Sequence, residues 1–162
     1  MAKRTKRIQP NALHLTVASV PRSVAFYTDK LGFQLVEAHP DTSKPVWASV
    51  ALGGQSVMLG ELPTLVEARQ RGMEQEQIEL LKQDARSFAR GAIGVGASYF
   101  LRVKNVDAFA RRLKKKRFRP LVAPTTQPYG WRECHLADLD GYRLVFYMQV
   151  KAAEIPAPPA EA

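Results

Sequence analysis

Between residues 129 and 147, YGWRECHLADLDGYRLVFY, a Trp, a Glu and a His stand at every second position: Trp131, Glu133 and His135. Alternate residues of a strand share a face, so these three side chains are expected to stand together. A carboxylate beside an imidazole can move a proton without a metal, which makes Glu133 and His135 the candidate catalytic pair. An indole next to them can stack on a planar molecule. The dull alternative for Glu133 is a salt bridge with Arg102 or Arg143, because a carboxylate on a strand facing a cleft is costly unless paired or used.

The elements that must position these groups come next. Asp140-Gly141 between two apolar runs reads as a hairpin turn, since Gly adopts positive φ at no steric cost. Earlier, Leu13-His14-Leu15-Thr16-Val17 alternates apolar and polar as a strand does. Ser19 offers an N-cap, Pro21 suits a first helical turn, and Val24, Phe26, Tyr27 and Leu31 give a helical stripe ended by Gly32. Strands then follow at 33–38, 46–52 and 56–60. This β-α-β-β-β order recurs. Leu15, Val17 and Val20 return as Leu101, Val103 and Val106 at one constant offset, and Gly54, Val57 and Leu59 return as Gly141, Leu144 and Phe146 one position later. Such self-similarity is the mark of a duplicated unit. In the second copy the helix falls at 106–113 and the next two strands at 120–123 and 132–138.

The expected organisation is a basic, disordered arm (1–9), a first βαβββ module (10–61), a helical connector (62–93), a second module (94–150) and a disordered Pro/Ala-rich tail (151–162). In the connector, Ile78, Leu81, Ala85 and Phe88 trace one apolar helix face. It reads as a bridge first and a mobile lid second. The 162 residues, 46% apolar, suffice for such a core. No run approaches the ~18–20 apolar residues of a membrane span, and the first residues lack a signal peptide's apolar stretch. The single cysteine, Cys134, excludes an internal disulfide framework and reads as buried and inert. A cytoplasmic protein is expected. The net charge of +9 favours neutral or anionic partners over cationic ones. Much of it sits in the first seven residues and in 111–119, the latter read as a solvated helix end.

VASVPRSVAFYTDKLGF (17–33) resembles the opening helix signature of the vicinal oxygen chelate superfamily, with its Ser and FY pair before LGF. YGWREC and DLDGYRLVF (129–134 and 138–146) resemble that superfamily's closing PWG-x-RE and DPDGN-x-LEF, best known from its glyoxalase and bleomycin-resistance-like branch. The resemblance covers both modules and omits arm, connector and tail. It implies an α+β fold in which two βαβββ modules form a half-open, barrel-like cleft, commonly in a homodimer. It also implies a divalent metal held by His, Glu or Gln from the first and last strands of each module, with open positions that polarise a substrate oxygen. Carried over, those positions are Ala12, Met58, Ser98 and Val145, none of them a normal ligand for such an ion. The expectation is therefore no metal and no other cofactor. The alternative is a displaced site in which His14, His135 and Glu133 form a facial triad.

If the superfamily's metal face is the cleft face, strand parity lines the cleft with His14 and Thr16, with Trp47 and Ser49, and with Met58. The second module adds Phe100, Arg102, Trp131, Glu133, His135 and Tyr147. Aromatics with a few polar groups make a small-molecule pocket. His14 and Trp47 each have a structural alternative, as a hydrogen-bonded strand histidine and as core. Three functions follow, in this order. The first is a bleomycin-resistance-like protein binding a small aromatic or polar metabolite or drug without the metal. The second is a lyase, isomerase or dioxygenase using a displaced metal or Glu133 and His135. The third, weakly supported, is a nucleic-acid or acidic-partner binder acting through the basic arm.

Overall fold

The computed structural model describes residues 13–91 and 93–156. The basic arm, Ala12 and the last six residues lie outside the described residues. The chain divides into two compact units, residues 1–95 and 96–162.

In the first unit the order is β1 (Leu13–Thr16), α1 (Val20–Ala25) continuing as a π-helical stretch Phe26–Leu31, then β2 (Gln34–His39), β3 (Trp47–Leu52) and β4 (Gln55–Gly60). Two connector helices follow, α2 (Leu65–Gln70) and α3 (Gln75–Ala89). The sheet order is β1-β4-β3-β2, with β1 parallel to β4 and the other pairs antiparallel. One face buries Leu15, Val17, Val50 and Leu59 with Val20 and Tyr27 from the helix. Tyr27 meets Phe33 edge-on, ring centroids 5.2 Å apart. Gly32 ends the helix at φ 84°, in the left-handed region that costs Gly least. Ser19 does take the N-cap position, but its hydroxyl makes no capping bond. Glu61 Oε1, just past β4, accepts from Val20 N at 2.7 Å instead.

The second unit repeats the plan with β5 (Ser98–Arg102), α4 (Val106–Lys115), β6 (Val122–Thr126), β7 (Trp131–Ala137) and β8 (Arg143–Gln149). Its sheet order is β5-β8-β7-β6, with the same single parallel pair. Asn105 caps α4 by accepting from Ala108 N at 2.7 Å. Under α4 lie Leu101, Cys134, Leu136, Leu144 and Phe146, and Phe109 stacks on Phe146 at 4.1 Å. Each unit is thus a four-stranded sheet that stays open at both edges, an α+β architecture of two βαβββ modules.

The register carries the duplication further than sequence identities do. Across the first sheet, His14, Met58, Ser49 and Glu37 form one row, and Thr16, Gly60, Trp47 and His39 the next. The second sheet gives Phe100, Val145, His135 and Val122, then Arg102, Tyr147, Glu133 and Thr125. The rows match position for position.

Three local expectations need adjusting. The β7–β8 connection is five residues, 138–142, rather than a two-residue turn. Asp138 organises it by accepting from the backbone N–H of Asp140 and Tyr142, and Gly141 sits at φ 97°. The strand expected at 120–123 forms at Val122–Thr126. In α3 only the first half of the apolar face is buried: Ile78 and Leu81 are inaccessible, Phe88 is half-buried and Ala85 exposed. Beyond β8, Ala152–Glu154 makes a 3-10 turn that brings Ile155 over Gly130.

Candidate functional site

In the second module, the sheet face opposite α4 gathers the residues that sequence spacing singled out. Trp131 and Tyr147 stack with ring centroids 4.4 Å apart and planes 20° apart. Phe100 meets both edge-on, at 5.8 and 6.0 Å, and is 45% exposed. Tyr129 closes the group against Trp131 at 6.0 Å. Three rings on one sheet face, with Tyr129 from the turn before β7, form an aromatic cluster with an accessible edge.

Beside them Glu133 is 1% exposed. A buried carboxylate must have its oxygens satisfied, and this one does. Tyr129 Oη donates to Oε1 at 2.7 Å, and His135 Nε2 lies 3.0 Å from Oε2. The salt-bridge alternative with Arg102 or Arg143 gives way to this Tyr–Glu–His network. Burial, with the hydrogen bond and negative charge of Glu133, pushes the Tyr129 phenol up to about 12. Tyr129 therefore keeps its proton and donates. A carboxylate oxygen without a proton can only accept, so against one His135 Nε2 is the donor, and in the neutral ring Nδ1 is then the acceptor. Tyr129, in the turn before β7, is not among the residues expected from the sequence, and only the packing singles it out. On the opposite face Arg132 holds Asp107 by two hydrogen bonds of 2.7 and 2.8 Å. Cys134 lies under α4, its thiol pushed up to about 11 by burial and by the Asp107 charge.

Arg102 stands one strand from Tyr147, with an exposed side chain. Ser98 is exposed at the start of β5. Val145, buried, separates Phe100 from His135 in its row.

In the first module, His14 and Trp47 come together around Gly60. A Cβ on Gly60 would lie 2.6 Å from His14 Nε2 and 3.6 Å from Trp47 Cδ1. The missing side chain is what admits the imidazole and indole. They line a pocket of about 650 Å³ with His39, Glu61 and, from α2, Glu67 and Arg71. That size suits a small molecule. The Glu67 carboxylate is committed to the N-terminus of α2, bonding Thr64 N and Oγ1 at 2.8 Å. Thr16 and Met58 are half-buried on the same sheet face. Ser49 is fully buried, and among the described residues its hydroxyl has no hydrogen-bond partner. Gly60 and Arg71 were not foreseen. The first has a sequence signal, as the small counterpart of Tyr147, while the second depends on where α2 docks.

The superfamily's metal positions do not fit a hard divalent ion. Val145 has no donor atom, Met58 offers a soft thioether, Ser98 a weak hydroxyl, and Ala12 lies outside the described residues. Glu133, the strongest nearby oxygen donor, is already bonded on both oxygens. Among the described residues no three His, Cys, Asp or Glu side chains gather as an ion site.

A family model described as the Glyoxalase/Bleomycin resistance protein/Dioxygenase superfamily matches residues 9–146. No curated protein matches the chain. Among solved structures, TioX from Micromonospora sp. ML1 is similar with a TM-score of 0.60 and 16% identity, over 86% of this chain and 97% of that one. TnmS3 from Streptomyces sp. CB03234, described as an antibiotic binding protein, gives 0.59 and 20%, over 90% and 99%. A glyoxalase/bleomycin resistance protein from the same Streptomyces strain gives 0.55 and 22%, over 85% and 99%. At these identities the likeness is one of fold.

Proposed function

The chain belongs to the glyoxalase/bleomycin resistance protein/dioxygenase superfamily, and from that premise we propose that it binds a small planar metabolite or drug without the superfamily's metal. The observation that carries this reading is the Trp131–Tyr147 stack with Phe100 at its edge, set against a buried carboxylate and imidazole. The rings supply a stacking surface worth about 1 kcal/mol per well-placed aromatic contact. Tyr129, Glu133 and His135 supply direction, with His135 Nδ1 free to accept from a ligand donor. In the first module the His14–Trp47 pocket adds a second polar and aromatic surface. One structural relative, TnmS3, is described as an antibiotic binding protein, which favours the same class of ligand. The net charge of +9 points to a neutral or anionic compound. A homodimer in the cytoplasm completes the proposal, and light scattering would then read twice 18.1 kDa.

Thermal shift across a panel of planar aromatic compounds, run with and without a chelator, tests the reading. Stabilisation that survives the chelator supports it. Stabilisation that appears only with an added divalent ion sinks it.

A second reading rests on the Tyr129–Glu133–His135 network. A carboxylate that fixes an imidazole's tautomer is the arrangement by which a general base is held ready. His135 Nδ1 would take a proton from a bound substrate, and Glu133 would stabilise the imidazolium. Turnover that falls at least a hundredfold in His135→Gln, with ligand affinity kept, would establish it over simple binding.

A further inference from the structure

A second pocket, of about 530 Å³, lies in the second unit away from the aromatic face, between α4 and the edge strand β6. Its floor is apolar, made by Phe118, Pro120 and Pro124, all half-buried. Its rim is cationic: Arg111, Lys114, Arg117 and Arg119. The one acid in its wall, Asp107, is neutralised by the Arg132 guanidinium. Lys114, Arg117 and Arg119 have no ion-pair partner among the described residues. Arg112, on another face of α4, lies over the Phe109 ring instead.

The backbone adds an independent observation. After α4 the chain makes a Schellman cap, with Phe118 N bonded to Leu113 O at 2.9 Å and Arg117 N to Lys114 O at 3.0 Å. The position between them requires positive φ and is the usual place for Gly. Arg117 occupies it at φ 56°, the one non-Gly positive φ among the described residues. The helix end already has Arg112, Lys114 and Lys115 in its last turn to complement its dipole, whereas the pocket gains the Arg117 guanidinium. A residue held in a disfavoured conformation beside a cavity is a reason to ask what it is for.

We infer that this α4–β6 pocket binds an amphiphilic anion, an aromatic or aliphatic body carrying a carboxylate, sulfonate or phosphate. The body would lie on Phe118, Pro120 and Pro124, and the anionic group would be held by Arg117 with Lys114 and Arg119. A nucleic-acid backbone fits less well. It would use the cations and leave the apolar floor empty, and no aromatic ladder for bases accompanies them.

The test is fluorescence titration of the full chain with anilinonaphthalene sulfonate and with uncharged phenylnaphthylamine, which keeps the rings and lacks the sulfonate. The sulfonate is expected to bind at least tenfold more tightly than the neutral analogue and to weaken as salt is raised. Arg117→Gly and Arg117→Asn, both tolerant of positive φ, are expected to weaken it about tenfold without lowering Tm, and Lys114→Gln likewise. A planar probe would also meet the aromatic face, so the Arg117-dependent, salt-sensitive part of the binding is the part expected to remain intact in Trp131→Ala, which separates the pocket from that face. Equal affinity for both probes, unchanged binding in the Arg117 variants, or loss of the Arg117-dependent binding in Trp131→Ala would each overturn the inference. So would a single-stranded oligonucleotide that binds more tightly than the sulfonate and displaces it, because that would make the patch a nucleic-acid surface.

Discussion

Glu133 shows at single-residue scale how a chemically able group is held inside a sheet face. Both oxygens are bonded, one by the Tyr129 phenol and one at His135 Nε2. Tyr129 should therefore resist ionisation until about pH 12, and phenolate absorbance read against Tyr129→Phe should show it. In Glu133→Gln that titration is expected to move only part of the way down toward the ordinary 10, because burial, the largest cause, stays while the carboxylate's bond and charge are gone. A raised acid holds its proton longer in the folded chain, so any stability linked to Tyr129 is complete below 10 and is lost between 10 and about 12. Gly60 makes a different kind of point. Gly60→Ala collides with the far end of a flexible imidazole, so the fold should lose no more than about 1 kcal/mol. His14 would swing aside, a change visible in its ring proton shifts. Strand spacing alone was enough to pick out Trp131, Glu133, His135 and Tyr147, because period two is rigid. The partners of Glu133 were not legible, since a hydrogen bond depends on rotamers and neighbours that spacing does not specify.

At the scale of elements, both modules were legible because four strands and a helix recur at a fixed offset and each leaves an apolar stripe. The register rows that align His14 with Phe100 and Trp47 with Glu133 are that duplication in three dimensions. Helix α2 was missed, although Thr64 and Glu67 spell the capping box that starts it. Six residues with one buried side chain, Ala68, carry too little periodicity to announce a helix. Thr64→Ala should cost about 1 kcal/mol and raise hydrogen exchange in 65–70 before the rest of the chain. Across α4 and β7, the Arg132 guanidinium holds the Asp107 carboxyl below its ordinary 3.8. That contribution is complete above 3.8 and is lost as pH falls below it toward the depressed folded value. Both partners are partly solvated, so Asp107→Asn should cost only about 0.5–1 kcal/mol at neutral pH, a difference that shrinks in acid denaturation.

At the scale of the whole molecule, the scaffold and the ligand are separate questions. The superfamily's scaffold is present in both modules, and in the proposed metal-free binding Met58, Ser98 and Val145 are taken as the counterparts of its metal ligands. The second module's face carries a stack of rings and a satisfied carboxylate, the groups that the proposed binding would use. No helix among the described residues is long and apolar enough to cross a membrane. The most direct measurement is calorimetric titration, in chelator, of the best planar compound from the thermal-shift panel into the native chain, Trp131→Ala and Glu133→Gln. Saturable binding by the native chain, weakened about tenfold by Trp131→Ala, is the result predicted, the loss of one aromatic stack being about 1.4 kcal/mol. Binding that needs a divalent ion, or that is indifferent to both substitutions, would contradict it.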